Sequence, residues 1–233
     1  MKKLINTLMI ITLLMSGTNS CTDLEEKVYD TIVSDNFYKT EEEIITTMAP
    51  IYADLRNILA YRNIIDLEEI TTDIIVHPTR EYGGCFGGGM HQRYHEHTWN
   101  AETGGITSIW TTAFQFINRA NMLLYQYEQL EEFDPELKDI FMGELRAIRA
   151  FGYYCLLNAY GNVPIVDRFD VEEGFKPTNS SNFDEGRTKV FEFIEDELLS
   201  CIPGLKEEVD LSTYGRFNKW AAMTLAVKLY MGA

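Results

Sequence analysis

The 233-residue sequence predicts an all-α protein made of paired antiparallel helices. Apolar residues recur at spacings of three and four along several segments, as they do on the buried face of a helix. Residues that commonly begin or end helices flank those segments. With 45% hydrophobic and 12% aromatic residues, the composition is that of a globular protein. Tetratricopeptide arrays alternate helices in this way, so tetratricopeptide-like helix pairs are expected. No clean repeat of about 34 residues, the length of a tetratricopeptide unit, is visible.

The first 20 residues have the order of a secretory signal. Lys2 and Lys3 precede an apolar run that ends at Met15, and small or polar residues then lead to Cys21. The run is too short to cross a bilayer as a helix. We therefore expect residues 1–20 to be a lipoprotein signal peptide that is removed, and Cys21 to carry the lipid. The alternative is an ordinary cleaved signal, because Thr18 stands where lipoprotein signals usually have leucine.

A capping box at Thr40 and Glu43 predicts the start of the first amphipathic helix. Its apolar stripe continues to Leu59, and Pro50 is expected to kink it because proline lacks the backbone N–H group. A second, short helix is expected within residues 63–76, ending near Asp73.

Helical spacing resumes at about residue 106. Asp134 and Pro135 predict the start of the next helix, as its N-cap and first residue. Gly161 and Pro164 are expected to end it.

Two further helices are predicted after the polar loop at residues 171–182. The first covers about 184–200, and the second starts near residue 219 and is still in progress at Gly232 and Ala233. We therefore expect the sequence to be the front portion of a longer protein.

The charge and cysteine content exclude several classes of function. A net charge of −16 argues against binding to nucleic acid or to an anionic membrane surface. The four cysteines, at positions 21, 85, 155 and 201, form no C-x-x-C pair, which weakens zinc and redox interpretations. Cys155 is expected to be a small core residue, and a bridge between Cys85 and Cys201 stays open.

Residues 77–104 interrupt the helical pattern and are predicted to form a long irregular loop. The segment is rich in glycine and histidine and contains several aromatic residues. Long loops inside compact helical proteins are uncommon and are often functional. We therefore place the candidate site in this segment.

The histidines of this loop allow two interpretations. His91 and His95 could face one metal ion from a helix, but the glutamate of the zinc-protease motif is missing between them. The alternative is that the loop histidines donate hydrogen bonds to the backbone. No phosphate-binding loop and no serine or cysteine nucleophile motif accompanies them. We expect no metal, no cofactor and no catalytic residue.

The remaining composition of the loop suits a polyhydroxylated ligand. Aromatic rings pack on the apolar C–H face of a sugar, while arginine and asparagine bond its hydroxyl groups. The alternative is that the aromatic residues only hold the loop on the core. The candidate ligand-binding residues are Arg80, Tyr82, Phe86, Trp99 and Asn100, with His91 and Tyr94 in the same composition.

Five segments form a pattern that extends from Cys21 to the end of the chain. They are Cys21 with the acidic Asp23, Glu25 and Glu26; Asp73–Trp99; Trp110–Asn121; Glu144–Tyr154 with Tyr160–Pro164; and Gly215–Met231. Together they resemble the N-terminal part of a SusD/RagB-type outer-membrane lipoprotein. Residues 21–233 would then be its N-terminal helical region.

This resemblance implies a cell-surface lipoprotein of the outer membrane that binds a glycan or another nutrient. It further implies a non-catalytic protein that delivers an oligosaccharide to a SusC-like TonB-dependent transporter. By analogy Arg80 would contact the glycan. Many members have an Arg-Gly pair and a tryptophan in this loop, where this chain has Arg80-Glu81-Tyr82 and Phe86. Two alternatives remain open: a helical scaffold that binds only the transporter, and a secreted glycoside hydrolase.

Overall fold

The structure, a computed structural model, describes residues 38–60, 62–83 and 86–232, and it confirms the all-α class. Seven α-helices and no strand occur within these ranges. The helices are α1 (Glu41–Ile58), α2 (Ile64–Ile70), α3 (Met90–His95), α4 (Gly104–Glu128), α5 (Pro135–Tyr160), α6 (Phe183–Cys201) and α7 (Lys219–Met231). Single 3-10 turns lie at Glu81–Gly83, Gly87–Gly89 and Ile202–Gly204.

The predicted helix starts are confirmed by their hydrogen bonds. In α1 the Glu43 N–H donates to Thr40 Oγ1 over 3.3 Å, and the Thr40 N–H donates to Glu43 Oε2 over 3.1 Å. In α5 Asp134 Oδ1 accepts from the second and third helical N–H groups at 2.9 and 3.1 Å, with Pro135 in the first position. These bonds satisfy backbone donors that have no partner inside the helix.

The core lies between α1, α4, α5 and α6, of which α5 packs against both α4 and α6. Gly152 allows α5 to approach α4 closely, because a Cβ atom there would lie 2.6 Å from Phe116 and 2.7 Å from Ile117. The largest fully buried side chains include Tyr94, Phe116, Tyr127, Phe141, Leu145 and Tyr153.

Some helix boundaries differ from those predicted. The helix α2 ends at Ile70, where Thr71 Oγ1 donates back to the Leu67 carbonyl at 2.7 Å. The last helix extends to Met231, within two residues of the end of the sequence. The predicted loop at 77–104 contains a short helix, α3, between its irregular parts.

Cys155 and Cys201 are buried free thiols, which confirms Cys155 as a core residue. Cys85, the partner that the sequence left open for Cys201, is not among the described residues. The predicted signal peptide and Cys21 also lie outside the described residues. No helix among the described residues has the length and apolar character needed to cross a bilayer.

Candidate functional site

The segment at residues 77–104 is attached to the rest of the fold through His91, on α3. The buried His91 ring lies with Nε2 3.0 Å from Asp66 Oδ2, and the same oxygen accepts the Arg62 N–H at 3.0 Å. The His77 ring lies 4.0 Å away, centroid to centroid. His91 therefore bonds a carboxylate at the base of the segment, where the sequence suggested a bond to backbone, while His95 is exposed.

These contacts favour a structural role for His91 over metal binding. Within the ranges that the structure covers, no three His, Cys, Asp or Glu side chains are grouped so that they could hold a metal ion. A zinc site needs at least three protein ligands around one point.

Tyr94 fixes the other side of α3 against the first turn of α4. Its ring is fully buried, and a Cβ atom on Gly105 would lie only 2.1 Å from Tyr94 Oη. Trp99 packs edge-on to Tyr94 at 6.1 Å and lies 5.3 Å from the His97 ring. Trp99 thus helps to hold the segment on the core and still exposes part of its surface.

Phe86 and Arg93 both approach Gly89. Phe86 Cε2 and Arg93 Cζ each lie 3.9 Å from the position that a Cβ atom of Gly89 would take. Arg93 Nη1 is 3.4 Å from the Gly88 carbonyl, and the Phe86 side chain is half exposed. An exposed ring next to planar N–H donors can contact both the apolar face and the hydroxyl groups of a sugar.

Arg93 was not among the residues that the sequence predicted. Its position depends on α3, which begins only after the left-handed Gly89 at φ +78°. One signal could have found it: the glycine run ends directly before a short helix, and Arg93 follows Gly89 by one helical turn.

Tyr82 is 98% exposed and has φ +66° and ψ +19°. This left-handed conformation is unfavourable for a bulky residue, since its Cβ atom crowds the backbone. Core packing does not explain a strained tyrosine that lies almost fully in solvent. Strain of this kind is characteristic of ligand-binding segments. Arg80, two residues earlier, is also exposed.

Asn100 forms a local turn before α4. Its Oδ1 accepts the Glu102 N–H at 3.0 Å and lies 3.3 Å from Thr103 Oγ1, while the Asn100 N–H donates to Thr103 Oγ1 at 3.1 Å. The amide Nδ2 takes part in none of these bonds. The five predicted residues thus fall into two groups, one on the turns before α3 and one directly after it.

Two adjoining apolar grooves lie away from this segment. Their volumes are about 490 and 370 Å³, and both are lined by Leu59, Phe151, Phe217 and Ala221. None of the five predicted ligand-binding residues lines either groove. An apolar surface of this kind suits contact with protein more than contact with a sugar.

The comparisons with known proteins agree on one family. A SusD-like family model, described as starch-binding and associating with the outer membrane, matches residues 24–231. SusD-like protein P25 from Formosa agariphila is 23% identical in a match that covers 97% of this chain and 43% of that protein.

Solved structures share the fold. A laminarin-binding SusD-like protein has a TM-score of 0.70 at 24% identity, over 83% of this chain and 40% of its own. Surface glycan-binding protein A from Bacteroides uniformis has a TM-score of 0.68 at 19% identity, over 82% and 42%. The chain therefore spans less than half the length of these relatives.

Proposed function

Because the chain belongs to the SusD-like family of starch-binding proteins that associate with the outer membrane, we propose that it is a surface glycan-binding lipoprotein. In this proposal it captures an oligosaccharide, passes it to a SusC-like TonB-dependent transporter, and catalyses no reaction. The observation that carries the proposal is the exposed, strained Tyr82, close in sequence to Phe86 and Arg93, which both approach Gly89.

The ligand would contact these residues in complementary ways. The Phe86 ring would pack on the C–H face of one sugar unit, and the Arg93 guanidinium would donate to its hydroxyl oxygens. Arg80 and Tyr82 would contact a neighbouring unit. Trp99, which packs on Tyr94, and Asn100, which closes a turn, would form the edge of the site.

Calorimetric titration of the purified protein with a panel of oligosaccharides and polysaccharides tests this proposal. We expect at least one glycan to bind. Phe86→Ala should weaken that binding by about two- to tenfold, since an aromatic contact contributes about 0.5–1.5 kcal/mol. Tyr214→Ala removes an exposed tyrosine far along the chain and serves as the matched control.

A second variant isolates the role of the strained residue. Tyr82→Asn keeps a residue that tolerates the left-handed conformation but removes the ring. It should bind the glycan more weakly while unfolding at the same or a higher temperature. Full affinity in both Phe86→Ala and Tyr82→Asn would show that the segment is not the binding site.

The lipid anchor on Cys21 is a separate part of the proposal. In cells that lack the proposed transporter, Cys21→Ala should release the protein from the membrane fraction, because the lipid on Cys21 is then the proposed attachment. Cys155→Ala, which changes a buried thiol, is the control for membrane retention. A Cys21→Ala protein that stays in the membrane fraction would remove the anchor from the proposal.

The apolar grooves support the proposed protein partner. Leu59 lines both grooves and is 47% exposed, so Leu59→Lys should reduce co-purification of the transporter without unfolding α1. Leu211→Lys changes a leucine that is 95% exposed and lines neither groove, and it should have no effect.

The same experiments separate the alternatives. A protein that co-purifies with the transporter but binds no glycan would be a scaffold only. Release of sugar from a polysaccharide by the purified protein would instead indicate a hydrolase.

A further inference from the structure

A polar cleft of about 210 Å³ lies on a different part of the fold from the 77–104 segment. It lies between α4, α5 and the segment at residues 167–170, and we call it the Arg149 cleft. Nothing in the sequence pattern pointed to a ligand here. Its volume is below that of pockets for drug-sized ligands, about 300–1,000 Å³, and suits a single small ring.

Arg149 forms the floor of the cleft and is only 6% exposed. Its Nε donates to Glu197 Oε2 at 2.7 Å, and its Nη1 donates to Asn121 Oδ1 at 2.8 Å and to the Asp167 carbonyl at 2.7 Å. Nη2 takes part in none of these bonds. The guanidinium is therefore fixed in position, and the two residues that Nη1 bonds, Asn121 and Asp167, both line the cleft.

An aromatic pair forms one side of the cleft. The rings of Tyr125 on α4 and Phe169 lie 6.0 Å apart at 44°, and both side chains are more than a third exposed. Exposed aromatic faces beside polar groups are the arrangement that packs on the C–H face of a sugar ring.

The charges around the cleft are balanced. Arg146 and Arg168 join Arg149 on the positive side, and Glu128, Asp167 and Asp170 stand on the negative side. A site for phosphate would have an excess of positive charge, and a cation site would have converging carboxylates without arginine. Equal numbers of cationic and anionic side chains offer both donors and acceptors, which suits hydroxyl groups because they both donate and accept.

We propose that the Arg149 cleft binds one ring of a neutral sugar and is a second carbohydrate site, separate from the 77–104 segment. The choice of a sugar over other small polyols rests on the proposed function. In the cleft one hydroxyl oxygen accepts from Arg149 Nη2, the Phe169 and Tyr125 rings cover the C–H face, and Asp170 accepts from a further hydroxyl.

Backbone amide shifts of the isotope-labelled protein test the cleft directly. The probes are glucose, mannose, galactose, maltose and laminaribiose, with inorganic phosphate as the anionic probe. We expect a neutral sugar to shift the amides of residues 167–170 in a saturable way. Phe169→Ala and Tyr125→Ala should each weaken that response at least fivefold, whereas Tyr214→Ala should leave it unchanged.

The outcomes for the two sites are separable. Shifts confined to residues 80–99 would overturn the cleft and leave the proposed function standing. Shifts confined to the cleft would support it and count against the 77–104 segment. A response to phosphate alone, no response at residues 167–170, or an undiminished response in both cleft variants would overturn the second site.

Discussion

Arg149 Nε lies 2.7 Å from Glu197 Oε2, and this ion pair joins α5 to α6 inside the core. Each residue is less than a tenth exposed. Arg149→Ala should lower the free energy of unfolding by about 3–5 kcal/mol, because it leaves Glu197 charged and buried without its partner.

Urea denaturation measures this change, with Arg146→Ala as the control. Arg146 lies one helical turn earlier, is partly exposed and donates to Ser200 Oγ at 3.3 Å, so its loss should cost about 1 kcal/mol. Equal losses in the free energy of unfolding in the two variants would show that the buried ion pair stabilises the protein no more than a partly exposed hydrogen bond does.

The approach of α3 to α4 predicts a strong difference between adjacent glycines. Gly105→Ala would place a Cβ atom 2.1 Å from Tyr94 Oη and 3.0 Å from the Arg62 carbonyl, whereas Gly104→Ala has no atom within 4 Å. We expect Gly105→Ala to destabilise the protein by about 1–3 kcal/mol and Gly104→Ala to be neutral or slightly stabilising. Thermal unfolding of both variants compares them, and equal melting temperatures would contradict the close contact.

Buried tyrosines should make the protein sensitive to alkaline pH. Burial raises the pKa values of Tyr94, Tyr153 and Tyr160 from 10.0 to about 12. The unfolded chain loses these protons near pH 10 while the folded chain keeps them, so stability is complete below pH 10 and falls as pH approaches 12.

Phenolate absorbance and denaturant midpoints measured from pH 8 upward test this. The exposed Tyr214 provides the control, since Tyr214→Phe should leave the pH dependence of stability unchanged. A midpoint that stays constant from pH 10 to 12 would contradict the shift in these pKa values.

Cys155 and Cys201 should resist alkylation in the native protein. Burial raises the pKa of the Cys201 thiol to about 12 and that of Cys155 further still, so almost no thiolate forms at pH 8. Iodoacetamide labelling followed by peptide mapping should modify both cysteines only after denaturation. Rapid labelling of Cys155 in native protein would contradict its place in the core.

The helical class and the helix starts were predictable because their causes are local. Thr40 with Glu43, and Asp134 with Pro135, satisfy backbone groups within one turn of themselves. The family pattern was readable for the same reason, since its segments are continuous in sequence.

The Arg149 contacts were not predictable, because the partners Asn121 and Glu197 lie 28 and 48 residues away. The approach of Phe86 and Arg93 to Gly89 was missed because it depends on the left-handed turn at Gly89. Trp99 is a residue type expected to contact a ligand, and it also packs on Tyr94. Only the folded structure shows this packing role.

Val166 holds the stretch between α5 and α6 against both α4 and α5. Its N–H donates to Tyr153 Oη at 2.7 Å, and its carbonyl accepts from Asn121 Nδ2 at 2.8 Å. The stretch is irregular, yet the Val166 amide hydrogen should exchange with solvent only when the stretch leaves Tyr153 on α5. A ligand that binds beside this stretch contacts backbone that is already ordered. Its binding therefore includes little of the free-energy cost of ordering a loop.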